Sequence, residues 1–253
     1  MTGWSASLYT RLMNAEQMAD KLVLWIKGKA KATGSNGVVF GMSGGLDSSV
    51  VAILCRRALG DNALGLIMPC HSNPRDEQDA LASATKFSVP VERIVLNAAY
   101  DSLLESLSTA GDTDADRIAR ANLKARLRMT TLYYHANKLG YMVVGSGNKS
   151  ELAIGYFTKY GDGGVDILPL GNLVKGQVRQ LAAYLGVPQS IIDKPPSAGL
   201  WQGQTDEAEM GCSYNELDRC LTGGELSDAL KGKIEQMEAD NRHKLNPPPI
   251  PGF

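Results

Sequence analysis

The 253-residue sequence has no excess of charge of either sign: 26 Lys and Arg stand against 27 Asp and Glu, a net charge of −1. That balance gives no global field to attract nucleic acid or an anionic membrane surface. No apolar run approaches the ~20 residues a membrane helix needs. The opening stretch MTGWSASLYTRLMNAEQ lacks a basic start followed by an apolar segment, so no signal peptide is expected. Cysteine is scarce. Cys55, Cys70, Cys212 and Cys220 are scattered and form no C-x-x-C, which argues against a zinc site or a disulfide framework. Four reduced thiols in the cytoplasm are the expectation. His71 and His135 have no metal-ligand spacing and read as structural or loop residues. No internal repeat or low-complexity linker interrupts residues 1–253, which read as one domain with a helical C-terminal extension from about residue 187.

What is present is a 43% apolar chain, ordinary for a globular core, in which short apolar strands alternate with longer amphipathic segments. This is the pattern of βαβ units and a parallel sheet. Strands are predicted at Val38–Met42, Leu64–Met68, Arg93–Leu96 and Tyr141–Gly145. Helices are predicted from Asn14 onward and over Ser48–Ala58, Pro74–Phe87, Ala98–Thr109, Ala115–Leu139, Asn148–Ile154, Ser213–Leu221 and Ser227–Leu245. Asn73-Pro74 reads as an N-cap with a first-turn proline. Gly60, Gly140 and Gly186 fall where helices should stop. Two stretches break the pattern: the glycine-rich Gly155–Val165 and the proline-broken Lys194–Thr205.

The stretch VVFGMSGGLDSS joins a strand, a glycine turn and a helix start. Gly44 and Gly45 remove Cβ atoms, so backbone N–H groups can close on phosphate oxygens. The helix N-terminus adds partial positive charge. The hydroxyls of Ser43, Ser48 and Ser49 can donate to the same oxygens. No lysine follows in the G-x-x-x-x-G-K-[ST] spacing, so this is not the common nucleotide loop. Asp47 would repel a bare phosphate, but Mg²⁺ binds one or two carboxylates together with phosphate oxygens. A Mg²⁺–pyrophosphate cradle is therefore the better fit.

With SGGLDSS in view, the loop resembles that of the ATP pyrophosphatases. FTKYGDGGVDILPLGNLVKGQVRQLAAYLGVP and KPPSAGLWQGQTDE resemble the ammonia-dependent NAD synthetases among them, as do MPCHSNPRDEQDA and ARANLKARLRM. The resemblance runs from about residue 14 to the tail. It implies a Rossmann-like open parallel sheet flanked by helices, similar to the adenine nucleotide alpha-hydrolases, with the first and fourth strands adjacent. It also implies an ATP site at Gly41, Met42, Ser43, Gly44, Gly45, Leu46, Asp47, Ser48, Ser146, Lys175 and Ser197. Mg²⁺ ligands would be Asp47 and Glu151. A deamido-NAD site would use Arg126, Lys159, Asp166, His243 and Lys244. The resemblance further implies a homodimer, for which Leu127, Leu132 and Tyr134 on the long helix look surplus to one sheet face.

On the helical wheel, Arg117, Arg120, Lys124 and Arg128 share one face and read as a solvated stripe. Arg126 falls opposite, where it should be buried with a partner or face a ligand. Asp162 in KYGDGG reads either as a turn aspartate or as a group that holds ammonium near the reacting carbon. The implied reaction adenylates a nicotinate carboxylate with ATP, releases pyrophosphate, and lets ammonia displace AMP. Lys175 and Asp162 are the expected catalytic side chains, and no covalent nucleophile is required. Two rival readings are a tRNA- or base-modifying adenylating enzyme and a non-catalytic adenine-nucleotide module. The neutral charge and scattered thiols weigh against the first. Paired acids and second-substrate cations would be wasted in the second.

Overall fold

The computed structural model describes residues 13–107, 113–201 and 203–252. Helix α1 (Ala15–Thr33) opens the described chain, with Asn14 accepting the Gln17 N–H at 2.9 Å as N-cap. There follow β1 (Gly37–Gly41), α2 (Leu46–Leu59), β2 (Ala63–Ile67), α3 (Pro74–Phe87), β3 (Val91–Arg93) and α4 (Asn97–Ser106). The 26-residue α5 (Asp114–Leu139) leads into β4 (Tyr141–Val144) and α6 (Lys149–Ile154). The remaining helices are α7 (Lys175–Leu185), α8 (Gln189–Ile192), α9 (Asp206–Met210), α10 (Tyr214–Leu221) and α11 (Asp228–Leu245).

The four strands form a parallel sheet in the order β3-β2-β1-β4. The first and fourth strands are neighbours, with Phe40 level with Val144. Chain order thus reverses between β1 and β4, the place where an open α/β sheet binds ligands beyond the carboxyl ends of its strands. Both faces are covered, so the strands read as continuous apolar runs. One core packs α1, α2 and α7 against Val38, Phe40, Met142 and Val144. The other packs α4 and α5 against Val39, Leu66 and Val143. A third cluster, around the fully buried Tyr214 and Leu217, joins α6, α9, α10 and α11.

Most predicted elements form within two residues of their expected bounds. The third strand is displaced: Val91–Arg93 pairs with β2, whereas Ile94 and Leu96 only continue the line of hydrogen bonds to the Ile67 and Pro69 carbonyls. The exposed edge position explains the slip, since no alternation of buried residues marks it. The helix expected to reach Thr109 runs to Ser106 with Leu107 as its C-cap, and residues 108–109 lie outside the described residues. On α5, Leu132 and Leu127 pack into the sheet-side core and are not surplus; Tyr134, 64% exposed, remains open.

Candidate active site

The turn after β1 is built by its own hydroxyls. Ser48 Oγ donates to the Gly45 carbonyl at 3.0 Å and lies 3.0 Å from Ser43 Oγ, while Ser49 Oγ donates to the same carbonyl at 2.9 Å. Gly44 has φ +75°, and a Cβ there would overlap the Asp76 carbonyl oxygen. Only glycine fits such a close backbone approach in the left-handed region. Leu46 and Ser48 are buried at the start of α2, and Met42 is buried just past β1. This leaves the N–H groups of the first turn of α2 at the mouth of the β1–β4 cleft.

Across that cleft, Asn148 caps α6 and reaches back to the first loop. Its Oδ1 accepts the Glu151 N–H at 3.1 Å, and its Nδ2 donates to Asp47 Oδ1 at 3.0 Å. Glu151 closes the capping box by accepting the Asn148 N–H on Oε2 at 3.0 Å, which leaves Oε1 facing the cleft. Into this space comes Lys175, the first residue of α7. Its Nζ lies 2.5 Å from Asp47 Oδ2 and 3.5 Å from Glu151 Oε1. Asp218 of α10 holds that helix start in place, accepting the Lys175 and Gly176 N–H groups at 3.2 and 2.7 Å and the Ser150 hydroxyl at 2.6 Å. A carboxylate at a helix N-terminus is favourably placed.

The electrostatics follow from burial. Desolvation pushes Glu151 up to about 7, against the pull of Lys175. Burial alone would lower Lys175, but Asp47 and Glu151 hold it above its ordinary value. The network continues outward. Tyr214 donates to Asp206 Oδ2 at 2.9 Å and lies 3.4 Å from Glu151 Oε1, and Lys175 Nζ sits 4.9 Å from the Tyr214 ring centroid. Burial raises the Asp206 pKa.

A second group of predicted residues meets at the glycine-rich loop. Arg126 Nη2 lies 3.4 Å from the Lys159 carbonyl, Lys159 Nζ donates to the His243 carbonyl at 2.6 Å, and Lys244 Nζ donates to the Gly155 and Phe157 carbonyls at 2.7 and 3.1 Å. Asp166 stands apart on the open edge of β4, where its carboxylate accepts the Tyr133 hydroxyl and the Val143 N–H. Asp162 accepts the Thr158 N–H at 2.9 Å and so ties the loop together. Ser146 lies half-buried just past β4, and Ser197 is exposed in the proline-broken stretch, where it accepts the Gly199 N–H.

The helical-wheel reading of α5 holds at Arg117, which is exposed and pairs with Asp114, and fails further along the stripe. Lys124 is buried, and Arg128 reaches under the sheet end to the Met68 carbonyl and Ser72 Oγ at 3.2 and 3.0 Å. Arg126 is the exposed one. The wheel separates two faces correctly but does not say which faces the protein, because both carried cations. Sequence reasoning also missed Asn148, Asp206 and Lys194. Lys194 Nζ binds Asp76 and Asp79 at 2.7 and 2.8 Å, pinning the proline-broken stretch beside the Gly44 turn. The N-x-x-E pattern of NKSE is the signal that would have found Asn148; nothing local to Lys194 signals partners 115 and 118 residues away.

A parallel sheet with a hydroxyl-rich glycine turn at the β1–β4 switch point, faced by two carboxylates and a lysine, defines a nucleotide-binding α/β protein of the pyrophosphate-loop class. Its relatives narrow the class further. The NAD synthase family model matches residues 18–248, and the chain belongs to that family. An NH(3)-dependent NAD(+) synthetase of Carboxydothermus hydrogenoformans is 48% identical over 94% of this chain and 98% of the relative. The solved NMN synthetase of Francisella tularensis superposes with a TM-score of 0.90 at 39% identity, covering 95% of this chain and 100% of that one. An NH3-dependent NAD synthetase from Campylobacter jejuni, solved with nitrate, has a TM-score of 0.80 at 30% identity, over 94% of this chain and 100% of that one.

Proposed function

We propose that the chain is an ammonia-dependent ligase that converts deamido-NAD to NAD, the last step of NAD synthesis. ATP first adenylates the nicotinate carboxylate and releases pyrophosphate. Ammonia then attacks the acyl carbon, and AMP leaves. The observation that carries this reading is the meeting of Asp47, Asn148, Glu151 and Lys175 over the Ser43–Ser48 turn in a chain of the NAD synthase family.

Each residue then has a task. The Gly44 and Gly45 backbone and the Ser43 and Ser48 hydroxyls bind the leaving phosphates, with Gly41, Met42 and Leu46 forming the turn around them. Lys175 offers its charge to the same phosphates, and Ser146 and Ser197 offer hydroxyls to ATP from the facing loops. Arg126, Lys159, Asp166, His243 and Lys244 hold deamido-NAD, four of them already gathered at one loop. Asp47 and Glu151 fit Mg²⁺: their oxygens already converge on one cation, the Lys175 ammonium, and this metal needs only one or two carboxylates besides phosphate oxygens. When bound, Mg²⁺ supplies charge stabilisation to the departing pyrophosphate. The protein contributes orientation and fixed donors, not a covalent nucleophile.

Residues 1–253 act as one catalytic unit, and the helices beyond residue 187 complete its site through Asp206, Tyr214 and Asp218. A homodimer is part of this reading, supported by the open Tyr134 on α5 and by the exposure of Arg126 beside it. Four unpaired thiols suit the cytoplasm. The likeness to an NMN synthetase favours a second reading, in which the acceptor is the corresponding mononucleotide. One assay separates them: ATP, Mg²⁺ and ammonium with either deamido-NAD or nicotinate mononucleotide. The acceptor with the larger kcat/KM names the activity, and silence with both refutes the assignment.

A further inference from the structure

Among the described residues, two cations on one face of α5 form no ion pair. Lys124 and Arg128 sit one turn apart, so their like charges oppose each other. Lys124 is 8% exposed, and its Nζ donates to the Leu200 carbonyl at 2.9 Å, over the Tyr100 ring. Arg128 spends its Nε on the Met68 carbonyl and one Nη on Ser72 Oγ. Among the described residues, no carboxylate stands within ion-pair distance of either. Burial disfavours both charges. Buried charges in native proteins are almost always paired.

The nearest acids are already committed. Asp76 and Asp162 both lie within electrostatic reach of the Arg128 guanidinium. Asp76, though, is bound to Lys194 at 2.7 Å, and Asp162 to the Thr158 N–H at 2.9 Å. Their positions locate Arg128. Asp76 backs the Gly44 turn, on the pyrophosphate side. Asp162 belongs to the loop that gathers Lys159, His243 and Lys244, on the acceptor side. Met68, which Arg128 grips, immediately follows the carboxyl end of β2. The guanidinium therefore stands between the two half-sites, at the level where ligands bind in such sheets.

We infer that Arg128 is the anion receptor for the α-phosphate of the adenylyl group passing from pyrophosphate to the nicotinate carboxylate. This rests on the adenylating function proposed above. In that step a carboxylate oxygen forms a bond to the α-phosphorus of ATP. The bridging P–O bond breaks, and pyrophosphate leaves with the electron pair. No proton moves. Negative charge spreads over the non-bridging α-oxygens, and a fixed planar fork of N–H donors suits it better than a point charge would. Lys124 acts as a positioning residue: its bond to the Leu200 carbonyl ties the proline-broken stretch to α5, one turn from Arg128.

The test is a single-turnover burst of pyrophosphate from ATP, Mg²⁺ and deamido-NAD or its mononucleotide without ammonia, on the whole chain. The parent chain's burst tests the function itself; without it, that reading fails and this inference falls with it. Given a parent burst, Arg128→Ala is expected to slow it by about 100-fold or more, as for loss of a transition-state donor. The KM for ATP should move by less than about 5-fold, reflecting a contact made in the transition state. Added guanidinium should restore part of the rate, which a packing defect would not allow. Arg128→Lys keeps the charge without the fork and should fall in between. A burst within about threefold of the parent in either folded variant overturns the inference, as does loss of ATP binding without any guanidinium rescue. If Arg128→Ala does not fold, Arg128→Lys decides.

Discussion

Asn148 donates to Asp47 at 3.0 Å across the cleft between β1 and β4, so the cap of one helix orients the carboxylate of another. Asn148 is fully buried and serves both ends of this bond. Replacing it with Ala removes an N-cap worth about 0.5–2 kcal/mol and leaves the Asp47 oxygen short of a donor. Asn148→Ala is therefore expected to lower both the unfolding midpoint and kcat. Denaturant titration with steady-state kinetics checks the pair; a stability loss with unchanged kcat would make Asn148 a cap and nothing more.

Asp47→Asn and Glu151→Gln should each remove most turnover while the fold persists. Both side chains face the same cation, from the first turns of the helices that follow β1 and β4. The measurement is kcat at saturating Mg²⁺ alongside circular dichroism. Near-normal kcat in both variants would sink the assignment of these two carboxylates.

Glu151 also ties stability to pH. Burial raises its pKa from 4.5 to about 7, so between those values the folded chain binds more protons than the unfolded one. The Glu151 contribution therefore falls as pH rises through that window and is flat above it. Glu151→Gln, which cannot ionise, should lose this slope. Urea unfolding of parent and variant at intervals from pH 4.5 to 8 reads it directly; parallel profiles would show that Glu151 does not titrate there.

Arg126 is exposed, so Arg126→Ala should change stability by no more than about 0.5 kcal/mol. Its loss from the acceptor site removes one charged hydrogen bond, about 1.5–3 kcal/mol, or roughly 10–100-fold. That loss should appear in KM for deamido-NAD and leave KM for ATP nearly unchanged. Equal weakening of both substrates would remove Arg126 from the acceptor site.

Nitrogen should come from ammonia. Cys55 and Cys70 are buried in the two sheet cores and Cys212 is buried in the C-terminal cluster, and burial raises all three thiols, unlike an activated nucleophile. Activity with ammonium should therefore rise with pH as free NH₃ increases, and glutamine should not replace it. Asp162→Asn at fixed ammonium separates the two roles left open for Asp162. A lower kcat with unchanged stability supports ammonium handling, and the reverse supports a turn role alone. Equal use of glutamine by the purified chain would overturn the nitrogen assignment.

Local chemistry made much of this site readable. Glycine at Gly44 and the Ser213–Glu216 capping box are short-range features, and each formed as its sequence pattern required. The adjacency of β1 and β4 followed from family likeness, and the register confirms it. What escaped was long-range. Lys194 finds Asp76 and Asp79 only through the fold, and Asp218 meets Lys175 from 43 residues away. The facing of α5 escaped for a different reason. An unpaired buried cation violates the binary pattern used to orient a helix, and such violations concentrate at functional sites.

The hold of Asp218 on the start of α7 has a consequence for how the molecule is made. Asp47 and Glu151 precede it in the chain, but the group that fixes the Lys175 helix start between them arrives only with α10. The acceptor loop waits longer still, for Lys244. The ammonium that faces both carboxylates is thus anchored by a residue far downstream, so the site is complete only when the C-terminal helices are in place.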